Sequence, residues 1–319
     1  MNYYRAEKKL IIKLLLTAII CISCSQRKSE LFLNGIKNYD EGKYRTAIIQ
    51  FDEAIKKDPG NSEIYYRRAK AKMQIEDCNG AVEDYSKAIV LNKEVEEYFI
   101  NRGLARISCR NYSGAIFDFD FAIVLDSLSA QNYFNRAYAK ELMEDYPGAL
   151  ADYTTAINLD NSNFTYFFNR GVLYSMLNKS QKSIEDFSSS ISLSKNNALA
   201  YKNRGDEYIR LDQYSNAEKD YNSAILIDPT NVNLYYSRAE TRIGQNEFLS
   251  AIADYTNIIS LDSTDASAYY NRGVCYANLN MKRNACDDFV KSGELGLFQS
   301  YEVIKEYCDA KDSEKKGKK

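Results

Sequence analysis

The sequence predicts an all-α chain built as a stack of antiparallel helix pairs, and three observations point there. The first is the scarcity of chain breakers: 14 Gly and 3 Pro in 319 residues are too few for a turn-rich fold. The second is a repeat of fixed length. The pattern Ala-Ile-x-x-Phe/Tyr-x-x-Ala-Ile recurs with its opening residue at Ala47, Ala81, Ala115, Ala149, Ser183, Ala217, Ala251 and Ala285. Each lies 34 residues after the one before, so eight repeats without an insertion fill residues 28–299. The third is the spacing inside a repeat. Counting places from the first residue of each repeat (28, 62, 96, 130, 164, 198, 232 and 266), places 4, 8 and 11 share one face of a first helix. Places 20, 24 and 27 share one face of a second.

Composition excludes several classes of function. An apolar share of 45% is too high for wholesale disorder. Lys plus Arg (42) against Asp plus Glu (44) leaves a net charge of −2, so no basic field favours nucleic acid. The chain has no His, the side chain used most often for proton transfer near neutral pH and for holding metals. It also carries no nucleophile and base arrangement and no phosphate-binding loop. A non-enzyme without cofactor or metal is expected.

At the N-terminus, Arg5, Lys8, Lys9 and Lys13 face one acid, Glu7, and an apolar run from Leu14 to Ile22 follows. This is a signal-peptide layout over residues 1–23, with an apolar run about half the ~20 residues a membrane-crossing helix needs. The stretch Ile20-Cys21-Ile22-Ser23-Cys24-Ser25 resembles the lipobox of bacterial lipoproteins. The resemblance implies acylation of Cys24, which follows the small Ser23, and places the protein in the cell envelope on a lipid anchor. Cys21 follows the bulky Ile20 and itself stands where the pattern usually has an aliphatic residue. An ordinary cleaved signal peptide is the alternative. Residues 24–27 then form a short tether, in which Ser25, Gln26 and Arg27 separate the lipid from the first repeat by only ~10 Å, at ~3.5 Å per residue.

Within the repeats, place 4 is bulky (Leu31, Tyr65, Phe99, Tyr133, Phe167, Tyr201, Tyr235, Tyr269) and place 8 is small (Gly35, Ala69, Gly103, Ala137, Gly171, Gly205, Ala239, Gly273). Place 24 is always aromatic: Phe51, Tyr85, Phe119, Tyr153, Phe187, Tyr221, Tyr255 and Phe289. Small residues let the two helices approach while the aromatics fill the space beside them. The period and these places resemble the tetratricopeptide repeat. The resemblance implies an α-α superhelix, or solenoid, of eight 34-residue helix-turn-helix repeats, in which stacked pairs bury a continuous core that one pair cannot. Pro59 and Pro229 fall between repeats and Pro147 at the start of a second helix, where proline is tolerated. Gly296 can stop the last repeat helix. Leu297, Phe298, Tyr301, Ile304 and Cys308 then form an apolar stripe, read as a capping helix over 300–310, and residues 311–319 read as a disordered basic tail. Ser180, Ser183 and Ser190 stand at the small places of the fifth repeat, which is expected to be the loosest.

Place 7 is Arg in repeats 2 to 8 (Arg68, Arg102, Arg136, Arg170, Arg204, Arg238, Arg272) and place 23 is Asp in the same repeats (Asp84, Asp118, Asp152, Asp186, Asp220, Asp254, Asp288). The first repeat lacks both, with Asn34 and Gln50, which predicts seven partly buried ion pairs rather than a basic or catalytic row. Place 6 carries Asn101, Asn135, Asn169, Asn203 and Asn271. Family geometry implies that this place faces the concave surface, where an Asn row can grip the backbone of an extended peptide through its donor and acceptor. A solvated edge is the plainer account of the same row. Phe134, Tyr138 and Phe168 at the neighbouring places 5 and 9 would supply an apolar groove, unless they stack between repeats instead. The Lys pair of the family's two-carboxylate clamp is absent, so a co-chaperone role is not supported.

Setting aside Cys21 and Cys24, five cysteines remain, with no CxxC. Cys286 and Cys308 could form a disulfide or stay as two buried thiols. The expectation for function is a non-catalytic envelope scaffold whose partners are other proteins or peptides and, through its anchor, the membrane. A regulatory or substrate-recruiting subunit of an envelope enzyme or secretion complex is the alternative.

Overall fold

The computed structural model describes residues 30–309. Cys24 and the segments read from the sequence as signal peptide, tether and basic tail lie outside these residues. The described residues divide into two compact units, 30–160 and 161–309. In the first, α1 (30–40) is followed by α2 (Tyr44–Lys57), α3 (Ser62–Gln74), α4 (Cys78–Leu91), α5 (Glu96–Ser108), α6 (Tyr112–Leu125), α7 (Ala130–Leu142) and α8 (Tyr146–Leu159). The second holds α9 (Phe164–Met176), α10 (Ser180–Leu193), α11 (Ala198–Arg210), α12 (Tyr214–Ile227), α13 (Val232–Gly244), α14 (Phe248–Leu261), α15 (Ala266–Asn278), α16 (Lys282–Glu294) and α17 (Gln299–Val303). No strand occurs among the described residues. Within each unit consecutive helices pack on one another, the first and second helix of a repeat most extensively.

From the second repeat to the seventh, first helices run from place 1 to 13 and second helices from place 17 to 30. Their ends have local causes. Asn61, Asn163 and Asn231, each one residue before a first helix, accept from the backbone N–H two residues on. Asp77, Asn111 and Asp145 cap second helices in the same manner, accepting from Gly80, Gly114 and Gly148. The turn between the two helices reverses at place 15, which has a left-handed backbone in every repeat: Gly42, Glu76, Arg110, Glu144, Asn178, Asp212, Asn246 and Asn280. The N–H of the next residue closes the turn on the carbonyl of place 11, as Asp145 does on Lys140 at 2.9 Å. This is a Schellman closure, usually served by glycine. Only the first repeat has glycine there.

The core of each repeat is built from places 8, 20, 24 and 27. Ala115, Phe119 and Ala122 are fully buried in the third repeat, as are Ala149, Tyr153 and Ala156 in the fourth. The close approach at place 8 is real. A Cβ at Gly103 would lie 2.7 Å from the Phe119 ring, so that ring occupies the space a side chain would take. In the fifth repeat Ser183 donates to the Gly171 carbonyl at 2.8 Å, while the buried Ser190 hydroxyl has no partner among the described residues.

The C-terminal segment departs from the expected stripe. Phe298 and Tyr301 are 80% and 52% exposed, whereas Val303, Ile304, Tyr307 and Cys308 are half-buried. After Val303, α17 widens into a π-helical turn over Ile304–Cys308, closed by the Asp309 N–H on the Ile304 carbonyl. The wider turn brings the Tyr307 ring edge-on to Phe289, 6.4 Å between centroids, and joins Cys308 to Cys286 in a disulfide. Cys78, at the start of α4, is bonded to Cys109, just past the end of α5. The remaining described cysteine, Cys275, is buried, and burial pushes its thiol up to about 11, leaving it protonated near neutral pH.

Candidate peptide-binding face

All seven ion pairs form. Arg136 Nε donates to Asp152 Oδ2 at 2.8 Å and Nη2 to Oδ1 at 2.6 Å, and the same two-pronged contact joins Arg170 to Asp186, Arg204 to Asp220 and Arg272 to Asp288. Arg68, Arg102 and Arg238 hold Asp84, Asp118 and Asp254 likewise. The aspartates are buried, and each guanidinium keeps only a small exposed edge. The hydrogen bond to its aspartate outweighs desolvation and raises the guanidinium pKa of Arg136, Arg170, Arg204 and Arg272.

Two further partners were not anticipated from the sequence. The Arg Nη1 group reaches back to place 25 of the preceding repeat. In the first unit it meets Asp52, Ser86 and Asp120, and in the second Ser188, Asn222 and Thr256, at 2.6–3.1 Å. Place 11 supplies either a second cation on the same aspartate (Lys72, Arg106, Lys140, Arg242) or a tyrosine ring under the guanidinium (Tyr174, Tyr208). The signal was present. Place 25 is polar in repeats 1 to 7 and becomes Val290 in the eighth, which no ninth repeat follows. These arginines are structural clamps between neighbours, and their charge is spent inside the stack.

The Asn row is less uniform than its spacing. Asn101 and Asn169 are half-exposed and donate to the carbonyls of Glu97 and Thr165, one turn back, at 2.8 Å. Asn203 and Asn271 are also half-exposed. Asn135 is buried at 7% exposure, with Gln131 donating to its Oδ1 at 2.8 Å, so place 6 does not face solvent in the fourth repeat. Phe134 and Phe168 are half-buried and lean on the place-24 ring of their own repeat, Tyr153 and Phe187, at 5.7 Å each. Both of these ring contacts lie within a repeat, while at the same place in the second repeat Tyr66 also meets Tyr98 of the third at 5.0 Å. Tyr138 stands 41% exposed, beside Phe134 and Asn135 on α7. Asn101, Phe134, Asn135 and Tyr138 belong to the first unit, and Phe168, Asn169, Asn203 and Asn271 to the second.

Two cavities open along α11 in the second unit. One, of about 220 Å³, lies between α9 and α11 and is lined by Val172, Ser175, Asn203, Asp206, Glu207 and Arg210 among others. The other, of about 300 Å³, lies between α11 and α13 and shares Asp206 and Arg210, adding Tyr221, Ser237, Glu240 and Thr241. Asp206 accepts from the Tyr221 hydroxyl at 2.9 Å, and burial, reinforced by that carboxylate, pushes the Tyr221 hydroxyl above its ordinary range so that it stays a donor.

The chain is similar to known repeat proteins. The tetratricopeptide repeat family model matches residues 198–231, the sixth repeat in the register above, and a TPR repeat model matches 142–178. No curated protein matches the sequence. Among solved structures, the C-terminal part of a TPR repeat-containing protein from Cytophaga hutchinsonii aligns with a TM-score of 0.63 at 19% identity, over 74% of this chain and 97% of that one. A tetratricopeptide repeat protein from Parabacteroides merdae aligns at 0.58 and 18% identity, over 80% and 98%. YrrB, described as a TPR protein with an unusual peptide-binding site, aligns at 0.52 and 20% identity, over 59% and 97%. Tetratricopeptide repeats generally mediate protein–protein interaction and are generally not catalytic. The fold of the described residues is that of tetratricopeptide repeat proteins, with helix pairs stacked one on the next in each unit.

Proposed function

We propose that the protein is a non-catalytic scaffold of the bacterial cell envelope, held at the membrane by a lipid on Cys24, that binds an extended segment of a partner protein on its first helices. The observation that carries the peptide reading is the cavity beside Asn203, where a place-6 carboxamide, an apolar side chain (Val172) and polar groups line one opening. Two disulfides among the described residues support an oxidising compartment, in keeping with the signal-peptide layout of residues 1–23.

Replacing Asn169 and Asn203 together by Ala tests the peptide reading. Each lost hydrogen bond is worth roughly 0.5–1.5 kcal/mol, so affinity for the partner captured from native membranes should fall about five-fold to a hundred-fold. Circular dichroism should be unchanged, because both side chains are half-exposed, and raising the salt should do little. Glu185→Ala with Lys219→Ala, on exposed faces of α10 and α12, is the control. If that pair abolishes capture while the Asn pair does not, binding lies on the second helices. For the anchor, Cys24→Ala should abolish incorporation of labelled palmitate and Cys21→Ala should not. The opposite result would move the lipid to Cys21.

A further inference from the structure

Place 10 of the first helix is a core position. It is Ala71, Ala105, Ala139, Leu173 and Cys275 in repeats 2 to 5 and 8, all fully buried, and Thr241 in repeat 7, which satisfies its hydroxyl on the Ser237 carbonyl. In repeat 6 it is Glu207, at 1% exposure. In the first repeat the place is Lys37, which is exposed, but a carboxylate is out of keeping with the buried residues at this place in repeats 2 to 5, 7 and 8, and burying one without full pairing costs several kcal/mol in general. Its Oε1 accepts from Ser175 Oγ at 2.5 Å and lies 3.2 Å from Arg210 Nη1, whereas Oε2 has no hydrogen-bond partner among the described residues. Arg210 is half-exposed and also donates to the Ser175 carbonyl at 3.0 Å, so it covers the acid from the solvent side.

The surroundings carry an excess of acid. Asp206, Glu207 and Glu240 line the two cavities on either side of α11 against one lining cation, Arg210, with Lys202 paired to Asp206 at 2.7 Å. Glu240 is exposed. A buried carboxylate oxygen without a partner, on a residue that lines a cavity, calls for a donor that the described residues do not supply.

We propose that the cavities along α11 take a basic side chain of the bound segment, its cationic head reaching Glu207 Oε2 after Arg210 swings aside. Arginine is preferred over lysine, because a planar guanidinium presents paired N–H donors that match a carboxylate. This deepens the peptide-binding reading above and rests on it. The cationic site lies in repeats 5 to 7 and needs no residue of the first unit.

Two probes separate the site from the groove. N-acetyl-argininamide tests the cationic site alone, followed by NMR shifts of Ser175, Asn203 and Thr241, with N-acetyl-glutaminamide as its neutral counterpart. Blocked heptapeptides Ala-Leu-Ala-Xaa-Ala-Leu-Ala, with Xaa as Arg or Gln, test it within an extended chain. The Arg forms should bind at least ten-fold more tightly than the Gln forms. Glu207→Gln should reduce that preference to less than two-fold, and Arg210→Ala should strengthen Arg binding by removing the internal competitor. Glu207→Ala, which restores the residue of repeats 2 to 4, should fold and melt at the same or a higher temperature, whereas a structural acid would lower it. Equal binding of the argininamide and the glutaminamide, or an Arg preference that survives Glu207→Gln, overturns the cationic site whatever the peptides do. If the argininamide binds as expected and neither heptapeptide binds more tightly than it, the cationic site stands and the extended-groove reading falls.

Discussion

Asp152→Ala is expected to destabilise the protein by about 3 kcal/mol or more, far beyond the typical single substitution. Asp152 is 4% exposed and is the shared acceptor of Arg136 and of Lys140 Nζ at 2.7 Å. Removing it leaves two cations facing a wall of α8 whose core, Ala149, Tyr153 and Ala156, offers them no acceptor in its place. Arg136 would retain Asp120 of the preceding repeat, at 2.6 Å, but that carboxylate is half-exposed and screened, and it cannot replace a buried acceptor. Urea unfolding followed by circular dichroism measures the loss. Glu53→Ala, which removes the exposed pair with Lys56, is the contrast and should be silent. A silent Asp152→Ala would mean that the arginine row is solvated, and its seven charges would again be candidates for binding.

Replacing Cys78 and Cys109 together by Ser should lower stability by about 3.7 kcal/mol. The bond closes a loop of 31 residues, and cross-linking such a loop removes roughly that much entropy from the unfolded chain. The effect should be local. Because a stack of repeats is stabilised by nearest-neighbour contacts, amide exchange should accelerate most in α4 and α5, the helices that the bond ties, and least in repeats far along the chain. Peptide mapping without reductant checks the pairing itself, and a Cys78 recovered as a free thiol removes the basis of the prediction.

The helical framework was readable because a 34-residue period repeats one decision eight times, so a misleading residue in one repeat is outvoted by seven others. Arg170 with Asp186 could be paired on that ground alone. Features that use the repeat without repeating a residue type were harder. The left-handed turn at place 15 is filled by Gly, Glu, Arg, Asn or Asp, because the Schellman bonds that hold it belong to the backbone, and no single residue marks it. The bond from Cys78 to Cys109 joins places 17 and 14 of adjacent repeats, a closeness created by stacking and not by helical spacing. Asn135 shows the converse: the period puts it in a row with Asn101 and Asn169, yet it is buried, with Gln131, one turn back, donating to its carbonyl. Glu207 was visible throughout as the one acid at place 10, but only the knowledge that place 10 is buried gives that acid its meaning. The π-helical turn at Ile304–Cys308 has no counterpart in the repeats and left the final segment to local guesswork.

The arginine clamp also bears on how such a chain changes length over evolutionary time. Every junction within a unit uses the same two places, an arginine at place 7 gripping a polar side chain at place 25 of its predecessor, so the joint is interchangeable. Deleting residues 96–129 would bring Arg136 against Ser86, the acceptor that Arg102 now uses, and the sequence on either side would meet in register. Duplication of a 34-residue block would be accommodated by the same logic. The ends are different: Asn34 and Val290 carry neither half of the joint, so growth by whole blocks is open in the interior and closed at the two termini. A gene encoding this chain can therefore lengthen or shorten in fixed increments without any new interface having to arise by mutation.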